Sequence, residues 1–124
     1  MENIPALIKK LKGINNKSVE IILVNNGSTD NSKEVLQKNI NFQIPKIRLI
    51  NLKKNIGYGH GIMAGVKKAT GDFIAWTHAD LQTDPIDVIG AFKQYTRNRD
   101  YKNSIIKGKR VGRNFFDFFF TYCM

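Results

Sequence analysis

Three short apolar runs in this chain each stop at a polar cluster, and each is followed by a stretch that reads as helix. The runs cover residues 19–24, 47–52 and 72–77. The clusters are Asn25-Asn26-Gly27-Ser28, Asn55-Ile56-Gly57-Tyr58-Gly59 and His78-Ala79-Asp80-Leu81-Gln82. Strands alternating with helices imply βαβ crossovers, hence an α/β fold with a mainly parallel sheet and helices on both faces. Ligands of such open sheets bind beyond the carboxyl ends of the strands. The three clusters are therefore expected to meet at one edge.

The helices carry their own signals. Ile4, Leu7, Ile8 and Leu11 form one stripe, which predicts a helix over residues 3–12. Ser28, Thr29 and Asp30 favour the cap of a helix over 30–38. A helix over 60–69 is expected to close at Gly71. Asp84-Pro85 opens another, with Asp84 as cap and Pro85 in the first turn. A weaker strand is expected over 102–107 and a phenylalanine-rich helix over 113–122. Trp76 falls on an alternating apolar run, which predicts a buried ring beneath the Asp80 loop.

A length of 124 residues suits one compact domain. The lone cysteine, Cys123, cannot form an internal disulfide, which fits a reducing compartment. The first residues lack the apolar core of a signal peptide, and no apolar run is long enough to span a bilayer. The expectation is a cytoplasmic protein. Its net charge is +10, and from Lys93 to Arg113 eight Lys or Arg face a single acid, Asp100. That stretch reads either as a solvated surface or as a contact for an anionic partner: phosphate, an acidic membrane or nucleic acid.

Asp80 follows its apolar run directly, with the amide of Gln82 two residues on. Both offer oxygens to a hard divalent cation, which in turn holds a diphosphate. The run Gly57-Tyr58-Gly59-His60-Gly61 is not a dinucleotide fingerprint, because the third glycine would fall on Ile62. It also lacks the P-loop pattern. Two readings stay open: a tight turn whose N–H groups face a phosphate or ribose, or a purely structural turn, with Gly65 allowing close packing. His60 reads as a helix-start or surface residue.

Val24-Asn-Asn-Gly-Ser-Thr-Asp-Asn-Ser32 resembles the nucleotide-binding segment of family 2 glycosyltransferases. The glycine series Asn55, Gly57, Gly59, Gly61, Gly65 resembles their second segment. The run from Ala69 through Gly71, Asp80, Gln82 and Pro85 resembles their metal segment, in the form seen in dolichyl- and polyprenyl-phosphate sugar synthases. The resemblance runs in order from about Asn3 to Arg113. It implies a GT-A fold, a GDP- or UDP-linked sugar donor, Mg²⁺ or Mn²⁺, and a lipid phosphate acceptor. It implies donor contacts at Asn25, Asn26, Gly27, Asn55, Gly57, Gly59, His78 and Asp80. Asp80 and Gln82 would hold the metal, and Arg110 and Arg113 a phosphate or the acceptor. Asn26 stands where the family often has an aspartate, and His78 where the first acid of Asp-x-Asp usually sits. No residue is singled out as a catalytic base, since Asp84 and Asp87 read as helix-start residues.

The family opens with a strand of the type Val-Ile-Pro-x-Tyr-Asn-Glu, which is absent before the first helix here, and the acceptor-binding half does not follow. The expectation is one partial domain over 1–124, the donor-binding half of an inverting glycosyltransferase. The five phenylalanines from Phe115 to Phe120 read as a packing helix or as a peripheral membrane contact, which would place the protein at the inner face of the membrane. Two other readings compete: an inactive nucleotide-binding remnant, and a nucleic-acid-binding module supported by the basic stretch with Tyr95 and Tyr101. The nucleic-acid reading leaves Asp80, Gln82 and the glycine spacing unexplained.

Overall fold

The computed structural model describes residues 3–40 and 47–97, with 105 and 108. The elements in chain order are α1 (Asn3–Lys12), β1 (Ile21–Asn25), α2 (Ser32–Ile40), β2 (Ile47–Asn51), α3 (Tyr58–Val66) and α4 (Pro85–Tyr95). The chain divides into two compact units, Met1–Gly90 and Ala91–Met124. The site lies in the first.

β1 and β2 pair in parallel, with Ile21 opposite Ile47 and Asn25 opposite Asn51. Parallel neighbours require a crossover, and α2 supplies it. Alternation along the strands sorts their side chains to two faces. Ile21, Leu23, Ile47 and Leu49 join the core built from Leu7, Ile8 and Leu11 of α1 and Leu36 and Ile40 of α2. Val24 points to the other face, where α3 packs. A Cβ on Gly65 would lie 3.2 Å from Val24 Cγ2, so glycine is what lets α3 approach that closely. Helices thus cover both faces of the parallel pair, as an α/β fold demands.

Local signals explain most boundaries. The stripe of α1 falls on the predicted residues. Asp30 Oδ1 accepts the Ser32 N–H at 3.0 Å at the head of α2. Asp84 Oδ1 accepts the Ile86 N–H at 3.1 Å, so Asp84 caps α4 with Pro85 in its first turn.

Five expectations meet a different outcome or fall outside the description. Residues 72–77 are not a strand; among the described residues the sheet has only β1 and β2. Phe73, Ile74 and Trp76 are 44%, 49% and 60% exposed, so Trp76 is not a core residue. A strand exists only through its ladder to a neighbour, and among the described residues no strand pairs with this run. The helix expected over 60–69 starts at Tyr58, and its regular part ends at Val66, with Lys67 at the C-cap. Turn bonds from the Lys68 and Ala69 N–H groups to the Gly65 carbonyl finish it, so Gly71 does not close it. Of the strand expected over 102–107 only Ile105 is described, exposed and outside regular structure. The helix expected over 113–122 lies outside the described residues.

A polar knot fastens the amino end of β1 to the tail of α3. Glu20 pairs with Arg48 and accepts both the backbone N–H and the hydroxyl of Thr70, at 3.0 and 3.2 Å. Arg48 also donates to the Lys68 carbonyl at 2.8 Å. The Thr70 N–H, above all, holds the Glu20 carboxyl below its ordinary range, with the Thr70 hydroxyl and Arg48 adding to it against a desolvation cost. Asp84 is held low too, chiefly by Lys10 and then by the Ile86 N–H. A carboxylate whose folded pKa is depressed stabilises the fold above its unfolded value, about 4. That contribution is lost as pH falls through the folded value. Thermal midpoints measured from pH 7 to 3 should therefore decline on the acid side, and Glu20→Gln should flatten part of that decline. An acid limb unchanged in the Gln variant would contradict the knot.

Candidate functional site

The carboxyl end of β1 is tied down by its own side chains. Asn25 is buried, 6% exposed. Its Nδ2 donates to Asn51 Oδ1 at 3.1 Å, and its Oδ1 accepts the Ser28 N–H at 3.1 Å. Both ends of this amide are thus engaged within the protein, where they join the two strand ends and shape the turn after β1. Gly27 completes that turn at φ +69°.

The second loop closes onto the first. Asn26 Nδ2 donates to Asn55 Oδ1 at 3.2 Å and to the Gly57 carbonyl at 3.1 Å. Asn55 Oδ1 also accepts the Gly57 N–H at 3.0 Å. Two acceptors therefore face the same nitrogen. This accounts for Asn where the family often has Asp, because an ionised carboxylate has no hydrogen to donate to either oxygen. Asn26 Oδ1 is buried without a hydrogen-bond partner, the single such side-chain atom among the described residues. An unmet buried acceptor costs about 1–3 kcal/mol. Gly61, buried in α3, lies close enough that a Cβ would come within 3.1 Å of the Asn26 side chain. Gly57 sits at φ +116° before α3, with no side-chain cap on the helix start. Nothing lies within 4 Å of the Cβ position at Gly57 or Gly59. The first N–H groups of α3 have no side-chain cap, an arrangement suited to an anion.

The third loop is held from below by α1. Asn3 Nδ2 donates to the Asp80 carbonyl at 3.4 Å, and Lys10 pairs with Asp84. Thr77 and Thr83 hydroxyls bond across the loop at 2.9 Å. Asp80 Oδ1 accepts the Gln82 N–H at 3.0 Å, an Asx turn. Between them Leu81 adopts φ +61°, rarely favourable for leucine, and packs against the core. That anchor holds the strained residue in place and presents Asp80 and Gln82 at the surface. Finally, the Tyr58 ring stacks on His78 with centroids 4.8 Å apart.

The geometry brings together Asn26, Gly27, Asn55 and Gly57 by direct contact, and links Tyr58, beside Gly57 and Gly59, to His78 on the Asp80 loop. Arg110 and Arg113 lie outside the described residues. Sequence reasoning missed Asn51, Leu81, Asn3, Lys10 and the partnership of Tyr58. Only Tyr58 carried a usable signal, as an aromatic ring between two glycines. Among the described residues no group of three or more His, Cys, Asp or Glu could hold a metal ion, and no helix is long and apolar enough to cross a membrane.

The chain is similar to known proteins over most of its length. It is 39% identical over 90 residues to a protein of Yersinia pestis (strain Pestoides F) named undecaprenyl-phosphate 4-deoxy-4-formamido-L-arabinose transferase. The same holds for its namesake in Yersinia pseudotuberculosis serotype O:3 (strain YPIII). These alignments cover 70% of this chain and 28% of each relative. A third namesake, from Yersinia pestis bv. Antiqua (strain Angola), is 40% identical over 87 residues, 68% of this chain and 27% of its own. The chain thus spans less than a third of the length of these curated relatives. No match is found among solved structures. The family model for glycosyl transferase family 2 matches residues 2–119. By that match, the chain belongs to glycosyl transferase family 2.

Proposed function

We propose that this chain is the donor-binding part of an inverting, metal-dependent glycosyltransferase that moves a sugar from a GDP- or UDP-linked donor to a polyprenyl phosphate. One observation carries the reading: the loop after β1, the uncapped start of α3 and the Asp80 loop are joined in one unit through Asn26, Asn55, Tyr58 and His78. A nucleoside diphosphate has hydrogen-bond donors on its base and ribose and negative charge on its phosphates. The α3 start suits an anion, and Asn26 fastens the loop after β1 to it. Asn25 and Gly27 serve by shaping the turn that presents Asn26.

Family 2 glycosyltransferases generally use a divalent metal ion. The residues here fit Mg²⁺ or Mn²⁺ shared with a substrate better than one caged by protein. Asp80 spends one oxygen on the Gln82 N–H, and no described residue bonds the other. One carboxylate and one amide, completed by phosphate oxygens and water, is an ordinary Mg²⁺ arrangement. Held there by Asp80 and Gln82, the ion would offset charge on the leaving diphosphate.

The names of the relatives point to an undecaprenyl-phosphate acceptor. A phosphate monoester is already ionised near neutral pH, so the reaction needs no strong base, in keeping with the lack of an evident one. Its oxygen bonds to the anomeric carbon as the bond from that carbon to the diphosphate oxygen breaks on the opposite face. The basic stretch with Arg110 and Arg113 would position the acceptor phosphate at a membrane surface. The test incubates the protein with labelled UDP- and GDP-sugars, undecaprenyl phosphate and Mg²⁺, and follows bound donor and lipid-linked product separately. Donor binding that vanishes with EDTA, without lipid-linked product, is expected of the donor-binding part. The absence of EDTA-sensitive donor binding would contradict the reading.

A further inference from the structure

Tyr58 is the first residue of α3, and His78 lies twenty positions on, two before Asp80. Their rings are nearly parallel, 5° apart in plane, with centroids at 4.8 Å, an offset stack. Burial does not force them together, since Tyr58 is 54% exposed and His78 is exposed too. Glycines on both sides of Tyr58 leave its ring as the only side chain beyond Cα in the 57–59 turn. The hydrogen bonds described for the 77–84 loop stay within it or its junction with α4, or run to Asn3 and Lys10 of α1. The stack runs instead to α3. It therefore joins the segment that offers backbone N–H groups to an anion to the segment that offers a carboxylate to a cation.

We propose that Tyr58 is a positioning residue: by stacking on His78 it sets the spacing between the start of α3 and Asp80, so that one diphosphate is gripped by both. This rests on the donor-binding reading above. Without the stack each half-site survives, but the two no longer act on one ligand. The quantity at stake is the coupling between cation and nucleotide, which is reciprocal and measurable as the gain in nucleotide affinity when metal is added.

The experiment compares the native chain with Tyr58→Ala and Tyr58→Phe. UDP and GDP binding is measured by calorimetry with and without Mg²⁺, and the His78 ring protons are followed by NMR. His60 is the chain's other histidine, which makes the signals simple to separate. Tyr58→Ala should abolish the ring-current shift at His78 and reduce the metal-dependent gain by about fivefold or more. Tyr58→Phe keeps a ring and should retain both. If Tyr58→Ala keeps the native gain, or Tyr58→Phe loses it, the proposal is overturned while the donor site stands. If the native chain shows no metal-dependent binding of either nucleotide, the donor reading falls and the proposal with it.

Discussion

A Gly27→Ala variant should melt about 10 °C below the native chain. Gly27 has φ +69°, a left-handed conformation that costs a residue with a Cβ about 1–2 kcal/mol. The space is also taken: a Cβ there would lie 2.4 Å from the Asn55 nitrogen and 2.5 Å from the Lys54 carbonyl carbon. Both are backbone atoms and cannot swing aside as a side chain could. Relieving the overlap means parting the loop after β1 from the loop after β2. That strains the Asn26 bonds to Asn55 and Gly57 and adds an overpacking cost of about 1–3 kcal/mol. Together these come to about 3 kcal/mol, and each kcal/mol moves the midpoint of a domain this size by roughly 3–4 °C. Gly59→Ala is the matched control, since its Cβ would meet nothing within 4 Å in the first turn of α3. Circular dichroism melts of both variants decide the matter. A Gly27→Ala midpoint within a degree or two of native would show that the close approach of the two loops is wrong.

The parts of the fold legible in the sequence are those set by nearby residues. The α1 stripe lies on one helical face, and the Asp84-Pro85 pair acts within a single turn. The apolar runs of β1 and β2 found each other because the α2 crossover is short. What escaped was set at long range. Residues 72–77 have the composition of a strand, but strand pairing depends on a neighbour elsewhere in the chain, and periodicity cannot report whether one is there. Trp76 was misplaced for the same reason. The site behaved likewise. That the clusters after β1 and β2 would meet followed from the topology, whereas the Asp80 loop follows no strand and is linked to them by the Tyr58–His78 stack. That Asn26 would donate to two oxygens, that Leu81 would take a left-handed φ, and that Tyr58 would stack on His78 all depend on contacts between loops.

The second large effect is expected at Asp80. It is the one carboxylate in the three converging clusters, and the strained Leu81 and the bond from Asn3 hold its loop against the core and α1. If the edge is a donor site, metal should raise nucleoside diphosphate affinity about tenfold or more, or roughly 1.4 kcal/mol. Removing the carboxylate should erase that gain while leaving the weaker metal-free contact at the α3 start. Asp80→Asn, which keeps an oxygen but no charge, should fall between. Asp80 is exposed, so these variants should melt close to native. The decisive measurement is calorimetric titration of UDP and GDP into the native chain and Asp80→Ala, with and without Mn²⁺. The account predicts a metal-dependent gain in the native chain that is absent from the alanine variant; equal metal-dependent binding by the two would contradict it.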